Sequence, residues 1–216
     1  MPLDITHEDF MTPDQVLALK ESCREKAQVL SIVDGRTHPV RNWAIIHVAL
    51  DAGLRVSEIC NLRIRDLLLE RENASLIVRN GKGNNKRGVK IGTALRQHLI
   101  EFLAWKKETG ELTARTAHLF VSSRARSSRT GGQTDLPLTR SAVYRIFKGY
   151  AAEIGLPERF SIHSCRHTYA SLLYRASQYN IRLVQKQLGH RSIQTTQIYA
   201  DVLNEDAVLA VDKLPQ

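Results

Sequence analysis

Apolar and polar positions follow a helical period over most of the chain. Thr12, Pro13 and Gln15 stand in the order of a capping residue, a first-turn proline and a glutamine that bonds back to the cap, so they predict a helix that runs to about residue 30. The spacing of apolar residues further along is typical of helices that bury one face. It predicts helices at 93–107, 140–154, 164–175, 181–188 and 204–214.

One helix is predicted to be buried on all sides. Residues 43–50 are almost entirely apolar, and Gly53 follows them as a residue that readily ends a helix. A helix that is apolar all round belongs in the core of the molecule. The next helix is predicted to begin near Ser57.

The period changes in the middle of the chain. Residues 76–78 and 89–91 are short runs rich in valine and isoleucine, and the turn 80–85 between them contains two glycines and Lys82. This pattern predicts a β-hairpin with a lysine at its tip. A third strand is predicted at 119–122. The predicted fold class is therefore mainly α with a small antiparallel β-sheet, an α+β fold.

The charge of the chain indicates the kind of partner it meets. In 216 residues, 31 Lys and Arg stand against 22 Asp and Glu, which gives a formal net charge of +9 and a pI near 9.7. Such a balance is typical of proteins that bind polyanions, with nucleic acid as the leading partner. The 43% apolar content is enough for a sizeable buried core.

The three cysteines suggest neither a disulfide framework nor a zinc finger, since none belongs to a CxxC pair. Cys60 and Cys165 fall in apolar helical stretches and are predicted to be small core residues. Unpaired thiols suit a reducing cytosol. No apolar run reaches the roughly 18 residues needed to span a bilayer, so a cytoplasmic protein without a membrane partner is expected.

Two motifs near the C-terminus combine residue types that carry chemistry. His163 and Arg166 form a His-x-x-Arg motif, and His190 ends a Leu-Gly-His motif. Tyr199 follows His190 by nine residues. Each residue alone has an ordinary structural reading, as a helix-terminal histidine, a salt-bridged arginine or a core tyrosine, but the ordered set is far more specific.

Two further motifs precede these in the chain. Arg55 and Glu58 belong to a Gly-Leu-Arg-x-x-Glu box, and Lys82 lies between two glycines of the predicted hairpin turn. In this order the motifs resemble those of the tyrosine recombinases, the family of the phage integrases and of the Xer and Cre recombinases. The resemblance extends from about residue 12 to about residue 205 and concerns the catalytic domain alone.

The resemblance implies a domain organisation and an assembly. Residues 12–216 are expected to form a tyrosine recombinase catalytic domain that includes the helix at 204–214, with residues 1–11 as an N-terminal extension. Relatives usually carry a further N-terminal core-binding domain, which is expected to be absent here. The family's working assembly is a homo-tetramer on paired sites of double-stranded DNA. The helix at 204–214 would join protomers or, with equal weight, pack on its own domain.

The chemistry of phosphodiester cleavage explains why these residue types are needed. Fixed cations must meet the charge that gathers on the phosphoryl oxygens, and the rigid forks of Arg55 and Arg166 suit that task. Glu58 lies three residues after Arg55, close to one helical turn, and is expected to orient that arginine. A metal site formed by such carboxylates is disfavoured, because their spacing matches no ligand motif.

The remaining roles follow from the resemblance. Tyr199 attacks the scissile phosphate and forms a 3′-phosphotyrosyl link, His163 is the expected general base, and His190 binds a phosphoryl oxygen. Lys82 is expected to give a proton to the departing 5′-oxygen, and His167 to be structural. No metal, ATP or other cofactor is expected, because the phosphotyrosyl bond conserves the energy of the phosphodiester.

The expected function is that of a site-specific DNA recombinase or integrase, which integrates or excises DNA. Two alternatives stay open at the level of sequence: relaxation of supercoils as in type IB topoisomerases, and a noncatalytic DNA-binding accessory protein. The basic stretch 123–135 is predicted to be a surface loop. Its arginines could equally contact DNA phosphates or simply face solvent.

Overall fold

The computed structural model describes residues 6–33, 38–70, 73–79, 86–122 and 134–202. Their regular elements, in chain order, are α1 (Pro13–Val33), α2 (His38–Ala52), α3 (Val56–Asn61), β1 (Leu67–Leu68), β2 (Ser75–Arg79), β3 (Lys86–Lys90), α4 (Thr93–Glu108), α5 (Arg140–Glu153), α6 (Ile162–Ala176), α7 (Ile181–Leu188) and α8 (Gln194–Val202). The described chain is mainly helical with one three-stranded antiparallel sheet, so the predicted fold class is confirmed.

The start of α1 has the predicted reciprocal cap. The Thr12 backbone N–H donates to Gln15 Oε1 at 2.9 Å, and the Gln15 N–H donates to Thr12 Oγ1 at 3.2 Å. Each bond satisfies a donor that the first helical turn would otherwise leave without a partner. The predicted helices from α1 to α7 are confirmed, with ends that differ by a few residues. The predicted helix at 204–214 lies outside the described residues.

Helix α2 forms the centre of the main core, as its apolar composition predicts. It packs against α1, α4 and α6, and residues 44–50 are all buried, including His47. The helix ends at Ala52, and Gly53 follows with a left-handed φ of +58°. Cys23, Cys60 and Cys165 are free and buried, which confirms the prediction that the latter two are core residues.

The hairpin prediction is confirmed, but the predicted third strand is wrong. Strands β2 and β3 pair antiparallel, and β1 pairs with the other edge of β2. Residues 119–122 do not join this sheet: the Leu119 N–H donates to the Leu62 carbonyl and the Ser122 N–H to the Leu136 carbonyl. Their apolar side chains are buried in the main core, so packing and not strand pairing explains the apolar run.

A second, smaller apolar cluster lies between α6, α7 and α8. Its buried members are Ala170, Val184, Leu188 and Tyr199. Helix α8, which the sequence pattern did not predict, contacts α6 and α7. Every helix within the described ranges is too short or too polar to cross a bilayer.

Candidate active site

The N-terminus of α6 carries two of the candidate residues, His163 and Arg166. Ser161 caps this helix, since its Oγ accepts from the His163 N–H at 3.2 Å, and Ser164 Oγ accepts from the Ser161 N–H at 3.1 Å. The cap fixes where the helix begins and thereby the direction of each side chain. Arg166 turns into the protein, while His163 is exposed to solvent.

Arg166 is held by groups from two distant parts of the chain. Its Nη1 donates to the Gly53 carbonyl at 2.6 Å, and its Nη2 donates to the Leu188 carbonyl at 2.8 Å. The same Nη2 lies 3.1 Å from His190 Nε2. Burial, reinforced by the charge of Arg55, lowers the pKa of Arg166 to about 10, so the guanidinium stays charged near neutral pH.

His190 follows Gly189, which ends α7 with a left-handed φ of +67°. Its Nδ1 lies 2.9 Å from the hydroxyl of the buried Thr196. Burial and the charges of Arg166 and Arg55 lower the pKa of His190 to about 4. A neutral His190 with its proton on Nδ1 donates to Thr196 and accepts from Arg166, so both ring nitrogens are used.

Arg55 and Glu58 stand at the start of α3, with Arg55 as its N-cap residue. Glu58 Oε1 accepts from Arg55 Nη1 at 3.1 Å, and Glu58 Oε2 accepts from the Arg55 backbone N–H at 2.9 Å. The Arg55 side chain is 41% exposed, whereas that of Glu58 is 7% exposed. The contact that the i, i+3 spacing predicts is therefore present, and it leaves the Arg55 side chain partly exposed to solvent.

Tyr199 lies inside the small apolar cluster and is only 2% exposed. Its hydroxyl is 3.0 Å from His167 Nδ1, and its ring lies 6.5 Å from that of His190 with 10° between the planes. Burial raises the pKa of Tyr199 to about 12, although the charges of Arg166 and Arg55 oppose this. The hydroxyl is thus protonated and covered in this structure.

His163 opens onto a cleft of about 440 Å³ that Arg55, Arg140 and Arg145 also line. Tyr144 and two serines, one from α3 and one from α5, complete the polar part of the lining. Three arginines on one cleft attract a phosphate backbone. Arg55 thus belongs both to this cleft and to the ion pair with Glu58.

The structure brings Arg55, Arg166, His190 and Tyr199 into one neighbourhood, and it places His163 in the cleft beside Arg55. Lys82 lies outside the described residues. Most of the predicted basic loop, residues 123–133, lies outside them as well. Within the described ranges, no group of three or more His, Cys, Asp or Glu side chains is placed to bind a metal ion.

Two residues of this site were not assigned to it from the sequence. His167 contacts the hydroxyl of Tyr199, and burial together with the Arg166 charge lowers the pKa of His167 to about 4. The i, i+4 spacing of His163 and His167 on α6 was a signal that both share a helix face. The second residue is Arg87 of β3, which binds Glu58, and no local motif pointed to it.

A tyrosine that lies beside two histidines and within the electrostatic influence of two arginines fits the class of enzymes that transfer a phosphoryl group. A sequence profile of the phage integrase family matches residues 9–206. The chain belongs to this family of site-specific recombinases, the tyrosine recombinases.

Curated relatives and solved structures agree with this membership. The chain is 30% identical over 213 residues to tyrosine recombinase XerA of Pyrococcus horikoshii, which covers 98% of this chain and 67% of the relative. It is 31% identical over 192 residues to tyrosine recombinase XerC of Caldanaerobacter subterraneus, covering 88% of this chain and 49% of the relative. The chain spans about half to two thirds of the length of the curated relatives it matches.

Among solved structures, XerA recombinase superposes with a TM-score of 0.73 at 27% identity, over 96% of this chain and 65% of that one. The XerH recombinase bound to its difH substrate, a pre-cleavage complex, superposes with a TM-score of 0.71 at 24% identity, over 94% of this chain and 52% of that one. The likeness to XerH concerns the fold.

Proposed function

We propose that this chain is the catalytic part of a site-specific recombinase that cleaves and rejoins double-stranded DNA through a 3′-phosphotyrosyl bond at Tyr199, without metal or ATP. The observation that carries the proposal is the contact of Arg166 with His190 beside the Tyr199 ring, with Arg55 close enough to lower the pKa of both Arg166 and His190. Arg166 lies on α6 and Tyr199 on α8, whereas Arg55 precedes α3 and His190 follows α7. Only the fold brings these groups together.

In the proposed reaction the scissile phosphate enters the cleft beside Arg55, and Arg55 and Arg166 bind its two non-bridging oxygens. The anion raises the pKa of His190, which then takes up a proton and donates a hydrogen bond to one oxygen. This change frees His190 Nε2 from its role as acceptor for Arg166. Charge that develops in the transition state thus meets donors already fixed by the fold.

The nucleophile has to leave its present position. Its hydroxyl is covered and bonded to His167, so α8 must shift before Tyr199 Oη can reach the phosphorus. The bond from Oη to phosphorus then forms, the bond from phosphorus to the 5′-oxygen breaks, and the hydroxyl proton passes to His163. Lys82 supplies the proton that the 5′-oxygen takes up. Attack by a second 5′-hydroxyl reverses these steps and joins the new strand.

We also propose a biological setting for this reaction. The enzyme integrates or excises a DNA element at paired sites, as a homo-tetramer held in part by the helix predicted at 204–214. We expect it in the cytoplasm, with the nucleoid when bound to DNA. The net charge of +9 and the arginine-lined cleft support DNA as the partner.

Replacement of Tyr199 by phenylalanine should abolish covalent attachment to DNA and leave binding nearly unchanged, because the ring keeps its packing and only the nucleophilic hydroxyl is lost. The chain would be incubated without metal or ATP with nicked duplexes, one carrying difH and one pool of random sequence. Covalent adducts would be captured on a denaturing gel and sequenced, and anisotropy would measure binding. An adduct that persists in Tyr199→Phe would refute the assignment, and no adduct from the native chain would refute the proposed function.

Replacement of His163 by alanine should slow single-turnover cleavage by about 10²- to 10⁴-fold, the usual contribution of a positioned general base. His163 is exposed, so the fold should survive. His167→Ala is the informative comparison, since His167 contacts the hydroxyl in the present structure. Native-rate cleavage by His163→Ala together with loss in a folded His167→Ala would transfer the role of base to His167.

A further inference from the structure

Arg87 touches both halves of the candidate site. It lies on β3, and its Nη1 and Nη2 donate to Oε1 and Oε2 of Glu58 at 2.8 and 2.9 Å. Its Nε donates to the Gln187 carbonyl at 3.5 Å, in the last turn of α7. The side chain is 14% exposed. Arg87 is therefore fixed between the Arg55 box and the turn that leads to His190.

Glu58 is shared unequally between two arginines. Arg87 takes both carboxylate oxygens with its guanidinium fork, while the Arg55 guanidinium has one bond to Oε1 at 3.1 Å. Burial by itself would raise the pKa of Glu58, but the bonds and charge of Arg87, and then those of Arg55, lower it below the usual range. Glu58 is thus an ionised, nearly buried carboxylate whose main partner is Arg87.

We propose that Arg87 is a positioning residue for DNA cleavage: it occupies both oxygens of Glu58 and thereby leaves the Arg55 guanidinium available to the scissile phosphate. This role rests on the proposed function. Without Arg87 a nearly buried carboxylate would keep Arg55 as its remaining cation. A two-pronged pair with Glu58 would then be the strongest arrangement open to Arg55, and it would turn the guanidinium away from the cleft.

The second contact of Arg87 acts on the other half of the site. A Cβ on Gly189 would lie 2.4 Å from Arg87 Cδ and 2.6 Å from its Nε, so the arginine packs directly on this glycine. Gln187 ties the same turn to the strand, since its side chain accepts from the Lys90 N–H at 2.9 Å. His190 follows this turn directly. The position of its ring therefore depends on the packing of Arg87 against Gly189.

The test uses the full chain and a nicked duplex selected for covalent capture by the native protein. Arg87→Ala should lower the single-turnover cleavage rate by about 10- to 100-fold at saturating protein, the usual loss when a supporting hydrogen-bond partner is removed. Arg87→Lys should recover only part of the rate, because an ammonium cannot occupy both oxygens in one plane. In an Arg55→Ala background, Arg87→Ala should cost little more, since both changes remove the same contribution.

A second substrate separates positioning from a general loss of structure. A methylphosphonate at the scissile position replaces one charged oxygen by a methyl group, so cleavage depends less on the Arg55 cation. The deficit of Arg87→Ala relative to the native chain should therefore shrink on this substrate, as that of Arg55→Ala should. A variant that is merely less folded would be equally impaired on both substrates.

Arg79→Ala is the matched control. Arg79 lies on the neighbouring strand β2 and pairs with the buried Asp66 at 2.5 Å, so its loss also removes an ion pair from the same sheet. It does not contact Glu58 among the described partners, and its cleavage deficit should not differ between the two substrates.

An equal deficit of Arg87→Ala on both substrates, or full additivity with Arg55→Ala, would overturn the role of Arg87 while the cleavage activity stands. Absence of covalent adducts from the native chain would overturn the proposed function and this role together.

Discussion

Replacement of Arg166 by lysine is expected to lower the rate of covalent complex formation by about 10²- to 10³-fold, the loss typical of a donor that stabilises transition-state charge. Lysine keeps the positive charge. It cannot reproduce contacts with the Gly53 carbonyl, the Leu188 carbonyl and His190, which diverge from one planar guanidinium. The measurement is single-turnover cleavage of a captured duplex by Arg166→Lys and Arg166→Ala.

The alanine variant should also lose stability, by about 2 kcal/mol, because two buried carbonyls lose their donor. Urea unfolding would measure this change. Arg159→Ala is a suitable comparison: Arg159 is half exposed and its ion pair with Glu8 is at the surface, so its removal should cost less than about 1 kcal/mol. Native-like cleavage by Arg166→Lys would exclude the proposed phosphate-binding role of Arg166.

Replacement of Gly53 by alanine is expected to destabilise the protein by about 3 kcal/mol. Alanine is strained at a φ of +58°, which costs about 1 kcal/mol or more, and its Cβ would lie 2.3 Å from Cδ1 of the Tyr169 ring. The ring cannot give way cheaply, since Tyr169 packs against the small apolar cluster. Cleavage should fall too, because the carbonyl that holds Arg166 belongs to this residue.

Two further variants give this prediction its controls. Gly149→Ala lies within α5 with no atom near the added Cβ, so it should raise stability by about 0.5 to 1 kcal/mol. Gly53→Ala combined with Tyr169→Leu should recover part of the loss by removing the clash, while the strain from the positive φ stays. A neutral Gly53→Ala in urea unfolding would show that the close packing of Tyr169 is not required.

Local sequence patterns predicted the elements that depend on local interactions. The Thr12 and Gln15 cap, the burial of residues 44–50 and the hairpin all follow from residues close in the chain. The prediction of a third strand was wrong because a short apolar run does not distinguish a strand from a buried segment that pairs with no strand. Leu119 pairs with Leu62 instead, across more than fifty residues, and no local pattern contains that partner.

The candidate site divides in the same way. The order of motifs in the sequence identified the candidate residues, from Arg55 to Tyr199. The contact between Arg55 and Glu58 followed from their i, i+3 spacing. The pairing of Arg166 with His190 spans twenty-four residues and three structural elements, so its geometry was beyond any spacing rule.

The amino-acid sequence by itself determined the residue types available for phosphoryl transfer and their order, and it predicted α6, the helix of Arg166, but not α8, the helix of Tyr199. Capping, periodicity and motif spacing are local properties. The tertiary structure alone decided that Arg87 binds Glu58, that His167 holds the Tyr199 hydroxyl and that Tyr199 is buried. These contacts join residues distant in the chain, and their energies depend on which surfaces pack together. Burial, which sets the pKa of Tyr199 and His190, arises only from that packing.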